Sequence, residues 1–443
     1  MKNLIVMAVA TLFATNAVAA EMKWNGSAGW RYSQTSNNDS LDSVNNTTAN
    51  KDVSTTKARA HELRANLGVM GGWEHVEYGI GVRTNNAVND DYLTVNQNQD
   101  RGLGIEQAWF RYVRDFGSLD LGLTIGRQKN ALAYDSQWET LFDNDVRWDG
   151  FGWNFKFGMF GLNAAQYVLG AVTHSQAAGN GLGSSGATGA SSYSYTEATE
   201  SVAATTKHFA MLYAFQPHMK WKFSDEIEAM LAVAYYRWVY EGATNQIGGG
   251  VNTANQGNAA GTKAALATGT YRMDNNTQWD FLANISLPMN LSFVADYVKA
   301  NKAAYNDITV TGYNSVTTPE VSSSAWTLGL SYGKLRKAQD FSLGYAYGTK
   351  GIGSMINTFT NEKFLADNKG HTVTAGYAMA DNFHLGFRWM NLQEKERIST
   401  VGTATGGGNA GSAYNQSAGG VAGQNSNQKM KTNYWELTAG VAF

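Results

Sequence analysis

Alternation with a period of two dominates this chain. In its last stretch, TNYWELTAGVAF, Trp435, Leu437, Ala439 and Val441 share one strand face, and Glu436, Thr438, Gly440 and Ala442 share the other. Successive strand side chains point to opposite sides, so such a segment is greasy on one face only. The pattern recurs upstream. KWNGSAGWRYSQ groups Trp24, Gly26, Ala28 and Trp30; ARAHELRANLGVM sets Leu63, Ala65, Leu67 and Val69 against Glu62, Arg64 and Asn66. After Gly71-Gly72, Val76, Tyr78, Ile80 and Val82 face away from Glu77 and Arg83. GIEQAWFRYVRD, LDLGLTIGRQ, RWDGFGWNFKFG, LNAAQYVLGAV, KHFAMLYAFQ and EIEAMLAVAYYRWVY continue the rhythm, as do TQWDFLANISL, LSFVADYVKA, SAWTLGLSYG, FSLGYAYG, HTVTAGYAMA and FHLGFRWMNL. With the terminal segment these predict sixteen strands, joined alternately by seven short turns and eight long loops.

Long loops on one side, short turns on the other and an even strand number are the marks of a transmembrane β-barrel. The predicted fold is therefore all-β: an up-and-down antiparallel barrel whose apolar stripes touch lipid. In hydrocarbon every backbone amide needs a partner within the protein, and only a closed sheet provides one for each. The strand ending at Phe443 is accordingly expected to pair with the first, near Trp24, and close the cylinder. Aromatics near strand ends, among them Trp30, Tyr78, Trp153, Tyr213, Trp238, Trp326, Tyr377 and Trp389, suit the two interfacial girdles. A soluble sandwich would also alternate, but it does not explain over-long loops confined to one side. At sixteen strands side chains no longer fill the interior, which leaves an aqueous channel. A channel that discriminates needs narrowing by a loop folded inward, and residues of about 128–147 are the candidate.

Composition supports this picture. Residues 1–20 carry Lys2, an apolar run from Leu4 to Phe13 and small residues at Ala17, Ala19 and Ala20, which predicts a cleaved signal peptide before a single domain at 21–443. Its apolar run is shorter than the roughly 20 residues a spanning helix requires. Without Lys2 the chain has 33 basic against 36 acidic residues, a net charge near −3 with no basic face, which argues against nucleic acid. There is no cysteine, and only three prolines, Pro217, Pro288 and Pro319, all expected between strands. The seven histidines show no metal-ligand spacing and no phosphate loop occurs, so neither metal nor cofactor is expected. The string Gly329-Leu330-Ser331-Tyr332-Gly333 imitates a nucleophile elbow but continues an alternating strand, so no catalytic residue is assigned.

Between the fifth and sixth strands, DFGSLDLGLTIGRQKNALAYDSQWETLFDNDVRWDG resembles the general diffusion porins of Gram-negative outer membranes. It shares their GS-turn strand ending in Gly126-Arg127, a loop beginning Tyr134-Asp135, and the four-residue spacing of Glu139 and Asp143. The resemblance implies a homotrimer in the outer membrane, in contact with lipid and lipopolysaccharide, and inserted by the assembly machinery through the strand ending at Phe443. It also implies a carboxylate pair, Glu139 and Asp143, facing a basic cluster. Arg127 and Arg147 stand where the family places arginines, and Arg64 lies close to a third position; where the family commonly has a first-strand lysine, this chain has Ser27. Strict alternation from Leu119 to Ile125 points Arg127 outward, so its role requires a bulge near Gly126.

The expected function is passive diffusion of small hydrophilic solutes and ions through the pore, with no enzyme activity. Weak ion selectivity leaning to cations is expected, because Asp135 and Asp145 add to the acids of the constriction. A second reading is a substrate-selective channel with Trp109 or Trp138 lining a sugar path. A third, from another class, is an outer-membrane enzyme or a surface-structural barrel acting through its loops.

Overall fold

The computed structural model describes residues 22–39, 54–84, 92–94, 103–172, 208–240, 276–301, 322–351, 354–355, 359–361, 363–365, 368–395 and 431–443. The predicted leader and most of the long loops lie outside these residues. The strands in chain order are β1 Lys23–Asp39, β2 Ser54–Trp73, β3 Val76–Thr84, β4 Leu93–Thr94, β5 Leu103–Asp115 and β6 Leu119–Gln128. Next come β7 Trp148–Phe157, β8 Phe160–Val172, β9 His208–Lys222, β10 Glu228–Tyr240, β11 Asn276–Leu287 and β12 Leu291–Ala300. The last are β13 Ser324–Gly333, β14 Phe341–Lys350, β15 Asn368–Ala380, β16 Phe383–Glu394 and β17 Lys431–Ala442.

Sixteen of these form the wall, each antiparallel to its neighbours in sequence; β4 is a two-residue rung opposite Glu62 and Leu63 on β2. The sheet closes where β17 meets β1, in register from Ser27↔Ala442 to Asn38↔Lys431. Beyond the last ladder pair, Gly26 N donates to Phe443 O and Phe443 N to Gly26 O, both at 3.0 Å, beside Trp24. Closure leaves no strand edge, which is what a sheet surrounded by lipid requires.

The two faces have the chemistry that the alternation predicts. Leu63, Leu67, Phe110, Ile125, Leu328, Leu330 and Leu437 are exposed on the outside, whereas Glu62, Arg83, Thr124, Asp296, Thr327 and Glu436 turn inward and are buried.

Two sequence expectations are corrected here. Pro217 lies within β9, opposite Leu162 on β8, not in a turn. The β9–β10 ladder skips Gln216 and Pro217, where proline has no N–H to give; the turn comes later, at 223–227. Trp238 is not in a girdle. On β10 the residues Ala232, Ala234, Tyr236 and Trp238 face inward and are buried, because β10 is apolar on both sides.

Candidate pore constriction

Residues 129–147, between β6 and β7, fold inward and dock along the inner wall. Unpaired main-chain groups there need partners, and three wall side chains supply them. Tyr167 on β8 accepts from Ala131 N through its hydroxyl at 2.7 Å, and Asn154 on β7 donates to Ala131 O at 3.0 Å. Gln216 on β9 accepts from Ala133 N and donates to Ala133 O, both at 2.7 Å, as a neighbouring strand would. Further along, the Trp138 indole fits a socket lined by Ala232, Leu282, Val294 and Ala346, floored by Gly329 and Gly344. Phe142 packs edge-on against Trp148 and Tyr236, with centroids 5.1 and 5.4 Å apart.

The loop carboxylates turn towards the wall. Asp135 is 5 % exposed, Glu139 8 % and Asp143 3 %. Asp135 caps a turn, accepting from Gln137 N at 3.1 Å, Trp138 N at 3.0 Å and the Thr140 hydroxyl at 3.3 Å. Burial, and then the nearby Asp296 carboxylate, push the Asp135 carboxyl up to about 7 despite those donors. Glu139 takes a positive φ of 54°, and its carboxylate accepts from Asn144 N at 3.2 Å and from Asn361 Nδ2. Asp143 accepts from Asp145 N at 2.6 Å and donates its own N–H to Phe359 O at 2.8 Å. The exposed loop side chains are Lys129 at its root and, further along, the uncharged Ser136, Gln137 and Asn144.

The expected basic residues separate. Arg127 points to the outside of the barrel. The β6–β7 ladder runs without a shift through Gly126↔Gly150, Arg127↔Asp149 and Gln128↔Trp148, so the required bulge is absent and alternation prevails. Arg127 pairs outside with Asp149 at 2.9 Å and donates to Ile105 O, while Gln128 takes the inward position. Arg147 is inside, bound to Glu106 at 2.6 Å and to the carbonyls of Asn144 and Val146. A shift in the β3–β5 register at Gly81/Val82 places Glu106 at a bulge on β5.

Arg64 faces inward, its guanidinium 4.9 Å from the Tyr92 ring centre. Two arginines that the sequence reading did not select join this wall. Arg31 also lies over Tyr92, 4.0 Å from its ring centre, and pairs with Glu62 at 2.6 Å. Arg83 donates to Asp145 O at 2.8 Å, tying the end of the loop to β3. Strand parity alone puts Arg31 and Arg83 on the polar faces of β1 and β3, so both were within reach of the sequence.

Of the two aromatics considered for a sugar path, Trp109 lies on the inner face over Gly79 and is partly exposed. Trp138 is buried in its socket and lines no path. Asn154, Tyr167, Gln216, Lys350 and Asn361, which hold the loop, were not recognised. The signal that could have found this docking face is an apolar inner side, as in β10, where a water-filled barrel should be polar. Among the described residues no group of side chains suits a metal ion.

A closed sixteen-stranded wall with a loop bound inside it defines a transmembrane β-barrel channel. The family described as "Putative porin" matches residues 11–269, more than half of the chain, and the chain belongs to this porin family. It is thus an outer-membrane channel for passive diffusion of small hydrophilic solutes and ions. Solved structures with a similar course include OprB of Pseudomonas putida, at 12% identity and TM-score 0.46, covering 95% of this chain and 94% of that one. OmpF of Salmonella typhi follows at 10% and 0.45, with 96% and 98% covered, and OprD of Pseudomonas aeruginosa at 10% and 0.40, with 96% and 95% covered. No curated protein matches.

Proposed function

We propose that the narrowest section lies between the inward loop and the wall of β1–β5, and that it passes small polar solutes with a weak preference for anions. The observation that carries this reading is the burial of Asp135, Glu139 and Asp143 behind the loop, away from water. Beyond Lys129 at its root the loop then offers uncharged Ser136, Gln137 and Asn144 and ends at Arg147, while the wall that its last residues touch carries Arg31, Arg64 and Arg83. Fixed charge at a constriction selects by sign: the three acids are buried and contribute little to it, whereas Arg64 on the facing wall is partly exposed. Zero-current potentials across planar bilayers in a salt gradient test this. A small anion-selective potential is expected, and a clear cation-selective one refutes the reading. The partly exposed indole of Trp109 favours a second reading, a sugar-preferring path, and current block that saturates with added sugar would support it.

The remaining assignments rest on the family resemblance. A leader at 1–20 directs export, one domain follows, and the mature chain assembles as a homotrimer through the machinery that reads the strand ending at Phe443. Arg127, Arg237, Lys299 and Lys369, all on outward positions towards the long-loop ends of their strands, suit the phosphates of lipopolysaccharide. Cross-linking in outer-membrane fractions and semi-native electrophoresis test the trimer.

A further inference from the structure

A second segment also enters the barrel. Following β14, the described residues from Gly351 to Leu365 include Ser354, Met355, Thr360, Asn361 and Phe364, all buried. Phe364 packs on the wall against Met390, Leu392 and Tyr434, and from there the segment reaches the constriction loop through Asn361 and the Phe359 carbonyl.

The contacts converge on one short stretch. Lys350, fully buried at the root of the segment, donates to Glu139 O at 2.7 Å and to the Thr360 hydroxyl at 2.9 Å, with its ammonium 4.9 Å from the Phe364 ring centre. Asn361 donates to the Glu139 carboxylate, and its own Oδ1 accepts from Lys363 N and Phe364 N at 2.9 Å, which fixes its orientation. The Phe359 carbonyl receives Asp143 N, and the Phe359 ring stacks on Trp148 and Trp238 at 5.1 and 5.8 Å. Glu139 and Asp143 therefore have partners, but these sit behind the loop.

Charge gives the arrangement its consequence. Loop carboxylates at Asp135, Glu139 and Asp143 and wall carboxylates at Asp280 and Asp296 are buried together, with Tyr236 donating to Asp280 at 3.2 Å, and Lys350 is the ammonium among them. An ammonium removed from such surroundings leaves buried negative charge uncompensated, and the element that can move away is the loop.

We infer that the segment after β14 is a second constriction element, a clamp in which Lys350 and Asn361 are positioning residues that set the bore by holding the loop inward. The clamp rests on the reading of residues 129–147 as the narrowest section.

The test uses the full-length protein, with Lys350→Met and Asn361→Leu compared with wild type by single-channel recording and by swelling of liposomes in a series of sugars of increasing size. The expected result is a rise on the order of a hundredfold in the frequency of excursions to a higher conductance for Lys350→Met, with entry of sugars that wild type excludes. Asn361→Leu, which leaves the wall untouched, should show the same change to a smaller degree. Retention of the compact, heat-modifiable band on gels separates loop release from barrel loss. Folded variants of both kinds with wild-type conductance and wild-type sugar exclusion overturn the clamp alone. A wild type that forms no pore removes the channel reading and the clamp with it.

Discussion

Gly329 on β13 is the sharpest probe of how the loop is held, because its substitution adds one methyl group and removes no polar contact. A Cβ built there would stand 2.0 Å from Trp138 Nε1 and 2.4 Å from Cδ1. The wall cannot yield, since Gly329 is in register with Val294 on β12 and Ala346 on β14. The indole must leave, and Gly344 closes the other side, where a Cβ would lie 2.8 Å from Cη2. Losing a buried tryptophan from a packed socket costs about 3–5 kcal/mol. At 1.4 kcal/mol per decade this lowers the ratio of docked to released loop by roughly two to three and a half decades. In Gly329→Ala, single-channel recordings should show frequent steps to a larger conductance, and liposomes should admit larger sugars, with the barrel band intact. Gly440→Ala is the control: its Cβ would meet only Ala28 O at an ordinary 3.6 Å, so no change is expected. Wild-type traces from Gly329→Ala would refute the socket.

Further outcomes follow from the same geometry. Trp138→Phe should behave almost as wild type, because Nε1 is buried with no hydrogen-bond partner among the described residues and its loss costs little; Trp138→Ala should mimic Gly329→Ala. Docked Asp135 holds its proton up to about pH 7, whereas a released, solvated carboxyl loses it near 3.8. Docking is thus strongest below the lower value and weakens as pH rises through the window between them, so opening steps should be rarer at pH 5 than at pH 8, with Asp135→Asn flattening the dependence. Glu139→Gln/Asp143→Asn should leave the zero-current potential nearly unchanged, since neither carboxylate faces water, while Glu62→Gln should move it further towards anions by removing the negative charge beside Arg31. Deleting Phe443, which removes two backbone hydrogen bonds to Gly26, should lower the yield of assembled barrel on semi-native gels.

The wall was legible because strand alternation is local: a residue's parity decides its face, and lipid outside forces that face to be apolar. Leu63, Leu437 and the closing pair of Phe443 with the first strand needed no more information than that. The same rule placed Arg64 inward and gave warning that Arg127 would point outward; the family position was the misleading signal, and the unshifted β6–β7 ladder restored the simple answer. Alternation also had a blind spot at Trp238, where both faces of β10 are apolar and the choice between girdle and interior depends on what covers the inner one.

The loop's chemistry was not legible. Sequence identified Glu139 and Asp143 as a spaced pair, yet the direction in which they face depends on groups far along the chain: Lys350 and Asn361 stand 211 and 222 residues from Glu139. Alternation has no hold on a segment without a ladder, and the path of such a segment is set by whichever surface can satisfy its amides and receive its aromatics. By itself, then, the sequence determined a closed, lipid-facing barrel of sixteen strands and the segment that folds into it. Only the tertiary structure decided which way the acids point, because burial and hydrogen bonding between distant strands outweigh anything encoded in local spacing.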